Sequence, residues 1–349
     1  MALTTAPREI DNSDAPSGEM PDRVPWFQRF MERIGALWTL GVLVVIVIVF
    51  GAVAPDLYTK AAWLATSEYA VEYLILAIGQ TFVIITAGID LADGATLGFS
   101  SMAGSILMAN MIGSHIGGGF AATAGILLML ATGAAIGIVN GVVITKMKLP
   151  PFIVTLGTLT AITGATDLLN NATEVTTLPG FVTRLGTESV LSGWLPVTVL
   201  IALVLAVLFG YLLARTRFGL RTYAIGSNEI AARRAGINVD RHLIKVYMIS
   251  GLLAAAAGLL VTANFSAASP IAGANDELYA IASVVIGGAS IFGGRGTMFG
   301  TVVGTSIIAV LTTGLVLANV QSFWQQVAIG AVVIGAVAVD RVRTKVGTD

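Results

Sequence analysis

The chain has 349 residues, of which 56% are hydrophobic and only 11% are charged, with a formal net charge of −1 at pH 7. A mean hydropathy of +0.87 indicates a membrane protein, and the near-zero net charge gives no electrostatic basis for binding nucleic acid. The chain has no cysteine, which excludes disulfide bonds and thiolate metal sites.

The first 24 residues are polar and contain three prolines and several acids, a composition that predicts a disordered cytoplasmic tail over 1–24. The apolar run that follows imitates a signal peptide, because Arg29 and Arg33 precede it and small residues follow it at 52–54. The stretch before it is long for a signal peptide, so we expect this run to stay as a membrane span.

Ten apolar runs are each close to the length of about 20 residues that a helix needs to cross a bilayer. They are too long and too continuously apolar for barrel strands, and lipid leaves their backbone groups no water to bond. The sequence therefore predicts an all-α polytopic membrane protein with about ten transmembrane helices, forming one domain over 25–349. The predicted spans are 36–54, 69–88, 97–112, 121–145, 151–169, 195–214, 243–264, 277–292, 299–318 and 324–340.

The basic residues are distributed asymmetrically over these spans. If both termini are cytoplasmic, every Lys and Arg except Lys60 and Arg184 falls on the cytoplasmic side, as the positive-inside rule requires. An odd number of spans would destroy this segregation, so we expect both termini in the cytoplasm. The outer segments then carry several acids: Asp56, Glu174, Glu188, Asp276 and Glu277.

Two glycine-rich motifs with charges interrupt the apolar pattern. GIDLADGATLG at 88–98 aligns without gaps with SIFGGRGTMFG at 290–300, which places Asp93 opposite Arg295. Each motif follows an outside-to-inside span and precedes a returning one, so the pair indicates a weak internal repeat with broken or re-entrant segments. Charges at membrane depth usually face a watery cavity, which makes Asp90, Asp93 and Arg295 candidates for a substrate pathway. Two alternatives stay open: Asp93 and Arg295 neutralise each other, and Asp90 caps the returning helix.

The other polar side chains singled out inside the predicted spans are neutral, apart from Asp167 near an outer boundary. Such a lining suits an uncharged, hydroxyl-rich solute, and it lacks the strings of Asp, Glu and His that a proton relay requires. The alternative for each residue is a hydrogen bond to a neighbouring helix. The candidate pathway residues of this kind are Gln80, Asn140, Thr155, Thr158 and Asn264.

The densest positive charge lies between two spans, at 215–245. Seven of the 19 Lys and Arg residues fall there, against the two acids Glu229 and Asp240. This pattern predicts a cytoplasmic loop that docks a partner, unless the arginines only enforce topology. Nothing in the chain indicates an enzyme or a metal site, because phosphate-loop and HExxH motifs are absent and His115 and His242 lie on opposite sides of the membrane.

Several motifs, read in order, resemble a known family. They are GIDLADGA, LPPFIVTLGTL at 149–159, FGLRTYAIGSNEIAARRAGI at 218–237 and ELYAIASVVIGGASIFGGRGTMFGTVVG at 277–304. Over about 36–343 the chain resembles the permease subunit of the ribose/xylose/arabinose/galactose group of bacterial ABC importers. It departs from the group at Ala92-Asp93, where the usual motif has a Ser-Val pair.

The resemblance implies a permease of the bacterial inner membrane that pairs with a second copy or a paralogue. It implies two cytoplasmic ATPase subunits, which carry the ATP and Mg²⁺, and a periplasmic or lipid-anchored sugar-binding protein. The chain itself would hold no cofactor. The binding protein would dock on the outer loops 56–68, 170–194 and 265–277.

The resemblance also assigns the loop at 215–242 to ATPase coupling, because Glu229-Ile230-Ala231-Ala232 and Gly236 are similar to an EAA-type coupling motif. We expect a short helix at 228–235 that sits in a groove of the ATPase, is ended by Gly236, and presents Arg233 and Arg234 to acids there. The coupling residues implied are Arg221, Asn228, Glu229, Ala231, Ala232, Arg233, Arg234 and Gly236.

Together these features predict a permease that imports a monosaccharide or related polyol by alternating access. The nearest alternative is an ABC permease for branched-chain amino acids, nucleosides or a furanose signal. An alternative of another class is an ion-coupled secondary transporter without an ATPase partner. A membrane enzyme or scaffold ranks third.

Overall fold

The computed structural model describes residues 26–346, with side chains described for 39–332 and for 334, 335 and 338. Thirteen α-helices and one short hairpin make up this part of the chain. The helices are α1 (Trp26–Val53), α2 (Lys60–Ile85), α3 (Asp93–Gly113), α4 (Gly118–Met147), α5 (Pro151–Leu169), α6 (Gly180–Thr187), α7 (Val197–Arg215), α8 (Arg217–Ser227), α9 (Glu229–Arg234), α10 (Val239–Phe265), α11 (Asp276–Ile286), α12 (Met298–Leu317) and α13 (Ser322–Val346). The hairpin pairs β1 (Ser189–Val190) with β2 (Leu195–Pro196) in antiparallel register.

The prediction of an all-α polytopic membrane protein is confirmed for the described part of the chain. Seven of its helices are long and apolar enough to cross a membrane, namely α2, α3, α4, α5, α7, α10 and α12. Nine of the ten predicted spans each lie on one helix. The tenth, 277–292, is wrong as a continuous span, because α11 has 11 residues and is about 16 Å long against a core of about 30 Å.

Helix α10 lies at the centre of the bundle, where it packs against α4, α2 and α3. A seam of small residues brings α4 and α10 together: Gly133 meets Gly251, Gly137 meets the backbone of Tyr247, and a Cβ at any of these glycines would overlap the facing helix. Close backbone approach of this kind is how helices associate in lipid, where there is no hydrophobic driving force between them.

The chain between α2 and α3 leaves the helical path at 86–92. It reverses at Ala87, whose φ is +61°, and runs back so that Asp90 lies against Ser250 in the middle of α10. Ser250 is 11 residues beyond the first residue of α10, which places this contact about 16 Å along that helix. Helix α3 therefore begins inside the bundle, and the predicted break at this motif is confirmed.

A second break, at 287–297, joins α11 to α12. Its backbone turns through positive φ at Gly288, Gly293 and Gly294, and α12 begins at Met298. The two aligned motifs thus share a loop-then-helix layout but differ in register, because Asp93 is the first residue of α3 whereas Arg295 lies in the loop before α12.

At the end of the bundle opposite the break at 287–297, loops that are distant in sequence are joined to one another. A β-bridge pairs Val175 with Ala268, and the indole N–H of Trp63 at the start of α2 donates to the carbonyl of Trp194 in the hairpin at 2.7 Å. These contacts make one connected surface of the segments 170–196 and 266–275 and the start of α2.

Candidate functional site

The loop between α7 and α10 contains a capped helix at the predicted place. Asn228 is the N-cap of α9, its side-chain oxygen accepting from the Ala231 amide at 2.9 Å. At the other end, the Ile237 amide donates to the Ala232 carbonyl at 3.1 Å, with Gly236 at φ +82°, which is a Schellman motif. The short helix predicted at 228–235 and its end at Gly236 are therefore confirmed as structure.

Most of the predicted coupling residues lie on the exposed surface of this loop. The exposed ones are Arg221, Asn228, Glu229, Ala231, Arg233, Arg234 and Gly236. Ala232 is the exception, since it is only 4% exposed and packs in a cluster with Ile225 and Val239. Ala232 therefore faces the bundle, where its methyl group holds α9 in place, and its assignment to the coupling motif stays a prediction.

Arg233 is paired within its own chain. Its guanidinium donates to Glu229 at 3.0 and 2.9 Å and to Asp240 at 2.6 Å. The hydrogen bonds that Arg233 donates to Asp240 and Glu229 raise the pKa of Arg233 above its ordinary value. The expectation that Arg233 meets acids on a partner stays a prediction, and Arg234 is the arginine of α9 that makes no ion pair with any described residue.

Replacing Arg233 by alanine is expected to lower the melting temperature only slightly, because exposed ion pairs contribute about 0 to 1 kcal/mol. Differential scanning fluorimetry of the purified protein measures the change. Arg217→Ala, an exposed arginine of the same loop outside these pairs, is the matched control. A drop for Arg233→Ala far beyond that of the control would show that the two ion pairs hold α9 in place.

Helix α8 is joined to the bundle through backbone atoms. Gly226 has no room for a Cβ because the Ile85 carbonyl and the Gly294 amide occupy that space, and the Gly294 amide donates to the Ile85 carbonyl at 2.8 Å. The Tyr223 hydroxyl donates to the Gly296 carbonyl at 2.7 Å, and burial raises the pKa of Tyr223. Helix α8, the end of α2 and the loop before α12 are therefore joined by direct backbone contacts.

A second attachment joins α8 to the first turn of α10. His242 is buried there, with its Nε2 at 2.9 Å from the Thr222 hydroxyl and its ring 4.4 Å from the ring centroid of Phe218. Phe218 also packs against Phe82 of α2. Rotation of α8 would thus disturb the start of α10 as well as the end of α2.

Arg295 lies at this same end of the bundle. It is exposed, and its neighbour Gly294 packs against Ser227 of α8. Asp93, by contrast, is buried inside the bundle, and the two make no ion pair among the described residues. Neither the placement of Arg295 in the pathway nor its neutralisation of Asp93 is supported by this geometry.

Polar side chains from three helices converge on the break at 86–92. Asp90 accepts from the Ser250 hydroxyl at 2.9 Å and from the Ala92 amide at 3.0 Å. The Gln80 amide, in the orientation that satisfies both partners, makes two 3.3 Å bonds to the Asp90 backbone, and Thr155 of α5 donates to the Ile89 carbonyl at 3.2 Å. The alternative that Asp90 caps α3 is wrong, because its carboxylate accepts from the amide of Ala92, which precedes that helix.

A second hydrogen-bonded pair of side chains lies one turn of α5 beyond Thr155. The Thr158 hydroxyl donates to the Asn140 side-chain oxygen at 2.6 Å, joining α5 to α4. Asn264 lies apart, half-buried in the last turn of α10, where its backbone meets Gly186 of α6. We define the polar site as Gln80, Asp90, Asn140, Thr155, Thr158 and Ser250.

Comparison with known proteins identifies the family. The family described as branched-chain amino acid transport system / permease component matches residues 64–337. The chain belongs to this permease family. No solved structure matches it.

Curated relatives resemble this permease over nearly its whole length. The D-allose transport system permease protein of Escherichia coli K12 is 36% identical, covering 94% of this chain and 97% of that protein. The ribose import permease protein of Bacillus subtilis is 39% identical over 90% of this chain and 94% of its own length. The fructose import permease protein of Rhizobium meliloti is 35% identical, with 90% and 87% covered. The family is one of transport proteins, not enzymes.

Three acids of the permease were missed or misplaced by the sequence analysis. Asp276 and Glu277 were expected on the outer surface, but both are buried in the first turn of α11, because the segment 266–275 folds back until Gly273 touches Gly94. The Glu72 carboxyl lies within hydrogen-bonding reach of that of Asp276. The signal for Glu72 was present, since a charge inside the predicted span 69–88 is exceptional.

Proposed function

We propose that this permease is the membrane subunit of an ATP-driven importer for a monosaccharide or a related polyol. The observation that carries the proposal is the similarity, at 35–39% identity over most of both chains, to permeases named for allose, ribose and fructose. The polar site supports it, because amides, hydroxyls and one hydrogen-bonded acid suit a neutral hydroxylated solute.

We infer that the end of the bundle with α8 and α9 faces the cytoplasm, and that both termini do so as well. This orientation satisfies the positive-inside rule, because seven of the 19 basic residues lie at 215–245. A cytoplasmic ATPase subunit, which holds the ATP and Mg²⁺, binds α8 and α9 there. A second permease, either a copy or a paralogue, completes the transporter in the bacterial inner membrane.

The backbone contacts of α8 support alternating access as the mechanism. When the ATPase subunits close, α8 moves, and the contact of Gly226 with Ile85 and Gly294 carries that movement to α2 and to the loop before α12. Helix α2 leads directly into the break at 86–92, where Asp90 and Gln80 are hydrogen-bonded. The movement therefore reaches the polar site within a few residues.

At the opposite end, the surface joined by Val175, Ala268, Trp63 and Trp194 is the proposed docking site for a sugar-binding protein. This surface includes parts of the predicted loops 56–68, 170–194 and 265–277. It does not include Asp276 and Glu277, because both are buried. Exposed acids remain on this side of the chain: Asp56, Glu174 and Glu188.

Uptake by the reconstituted complex tests the function. Proteoliposomes containing the permease and its ATPase, supplied with the binding protein, should accumulate one of labelled allose, ribose, fructose or galactose, and only with ATP inside the compartment that the ATPase faces. Labelled leucine is tested in parallel as the alternative substrate, because the family is named for branched-chain amino acids. Transport of leucine instead would favour that alternative, and sugar uptake without ATP would favour an ion-coupled carrier.

A further inference from the structure

Five carboxyl groups meet where α2, α3 and α11 come together inside the bundle. Asp90 and Asp93 are each 2% exposed, Asp276 is 8% and Glu277 7% exposed, and Glu72 is half-buried. The described residues form ion pairs only at Arg233, far from this place, so none of the five acids has a basic partner among them. We call these five residues the acid cluster.

Two members of the acid cluster are in direct contact. The carboxyl groups of Glu72 and Asp276 lie close enough to share a hydrogen bond. Two ionised carboxylates are both acceptors and have no hydrogen to share, so this contact requires a proton on one of them. Neighbouring carboxyl groups share a proton for the same reason in aspartic proteases.

Asp93 provides an independent indication of a bound proton. One of its oxygens accepts from the Gly94 amide at 2.8 Å, while Oδ2 is buried without any partner. Gly94 itself packs against the Glu277 carboxyl, and Asp93 interacts electrostatically with Asp90, Glu277 and Asp276. A bare carboxylate oxygen buried beside other acids is costly, whereas a protonated one is neutral and can donate.

The surroundings offer little other compensation. Asp93, Asp276 and Glu277 lie in the first turns of α3 and α11, where each helix dipole supplies only about half a positive charge. The titratable groups nearby are the stacked tyrosines of α2 and α11, Tyr247 of α10 and, one turn along α2, Glu68. Helix α12 contains no charged residue, and neither does α13 over its described side chains 322–332.

We propose that the acid cluster is a proton-binding site, in which Glu72 and Asp276 share one proton and the carboxyl group of Asp93 holds another. The protons close the contact between α2, α3 and α11 and leave the interior near the polar site with little net charge. The proton site follows from this chain alone. Only its use, keeping a pathway suited to a neutral solute, rests on the proposed function.

Infrared spectroscopy of the purified permease in lipid nanodiscs tests the site directly. Wild type at neutral pH should show a carbonyl-stretch band of protonated carboxyl groups that shifts in D₂O. The band should weaken in Asp93→Asn and in the double variant Glu72→Gln/Asp276→Asn, while Glu188→Gln, an exposed outer acid, leaves it unchanged. A folded wild type without this band at neutral pH overturns the proposal, as does a band that survives in all the cluster variants.

The pH dependence of stability gives a second readout. The folded cluster binds protons that the unfolded chain releases, so stability should fall as pH rises from the ordinary carboxyl pKa of about 4 to and beyond neutral pH. In Glu72→Gln/Asp276→Asn an amide N–H can donate the hydrogen bond, so no titrating proton is needed. The melting temperature of this variant should therefore depend less on pH than that of wild type. An equal dependence in both contradicts the shared proton. If the double variant does not fold, the D₂O shift of wild type still decides.

Neither readout needs sugar, ATP or an ATPase. Failure of the uptake assay with a normal infrared band would remove the proposed function and leave the proton site. Normal uptake without the band would do the reverse.

Discussion

Ile230→Asp is expected to abolish binding of the ATPase while the permease still folds. Ile230 is 66% exposed on α9, and Leu220 is 70% exposed on α8, so both present apolar surface at the loop that we place in the cytoplasm. Buried apolar anchors dominate the binding energy of interfaces, and a carboxylate buried there would lose its hydration without a partner. Pull-down of the ATPase by the detergent-solubilised permease measures the effect, which we expect to be complete at micromolar concentrations.

The matched control for this substitution is Leu191→Asp. Leu191 is 72% exposed in the hairpin at the opposite end of the bundle, so it should retain the ATPase like wild type. Both variants should elute as wild type does in size-exclusion chromatography. Retention of the ATPase by a folded Ile230→Asp protein would show that α9 is not the docking helix.

Gly137→Leu is expected to prevent folding. The position of a Cβ on Gly137 overlaps the backbone of Tyr247, so the larger side chain fits only if α4 and α10 separate. Overpacking a core usually costs about 1–3 kcal/mol, and here backbone rather than a flexible side chain is in the way, so we expect a greater loss. The measurement is the yield of monodisperse protein after solubilisation, with the melting temperature of whatever is recovered.

Gly119→Leu is the control on the same helix, because nothing lies within 4 Å of its Cβ position. This variant should be recovered in wild-type yield. Equal recovery of Gly137→Leu would mean that the α4–α10 seam tolerates separation.

Local signals in the sequence were enough to predict α9. Asn228 caps the first turn of α9, and Gly236 takes the left-handed conformation that ends its last turn. Each signal is local to the adjacent turn, and both residues have these roles in the structure. The pairing of Glu229 with Arg233 also follows from their spacing of four residues on a helix. The hydrogen bond from Arg233 to Asp240 could not be predicted from the sequence, because it depends on how the chain turns after Gly236.

Apolar run length predicted most spans but failed where the chain re-enters the bundle. The segment 277–292 has the composition of a span, yet its first residues arise inside the bundle because Gly273 packs on Gly94. Composition records how apolar a segment is and not the depth at which it begins. The burial of Asp276 and Glu277 depends on that long-range contact, so no local pattern could have shown it.

The attachment of α8 to α2 has a consequence for how such a transporter can change over evolution. Gly226, Ile85 and Gly294 meet through backbone atoms, whereas the proposed docking surface is made of the side chains of Leu220 and Ile230. Recognition of the ATPase and transmission of its movement therefore reside in different atoms. Substitutions of surface side chains can suit a new ATPase, while the movement transmitted to the membrane helices stays the same.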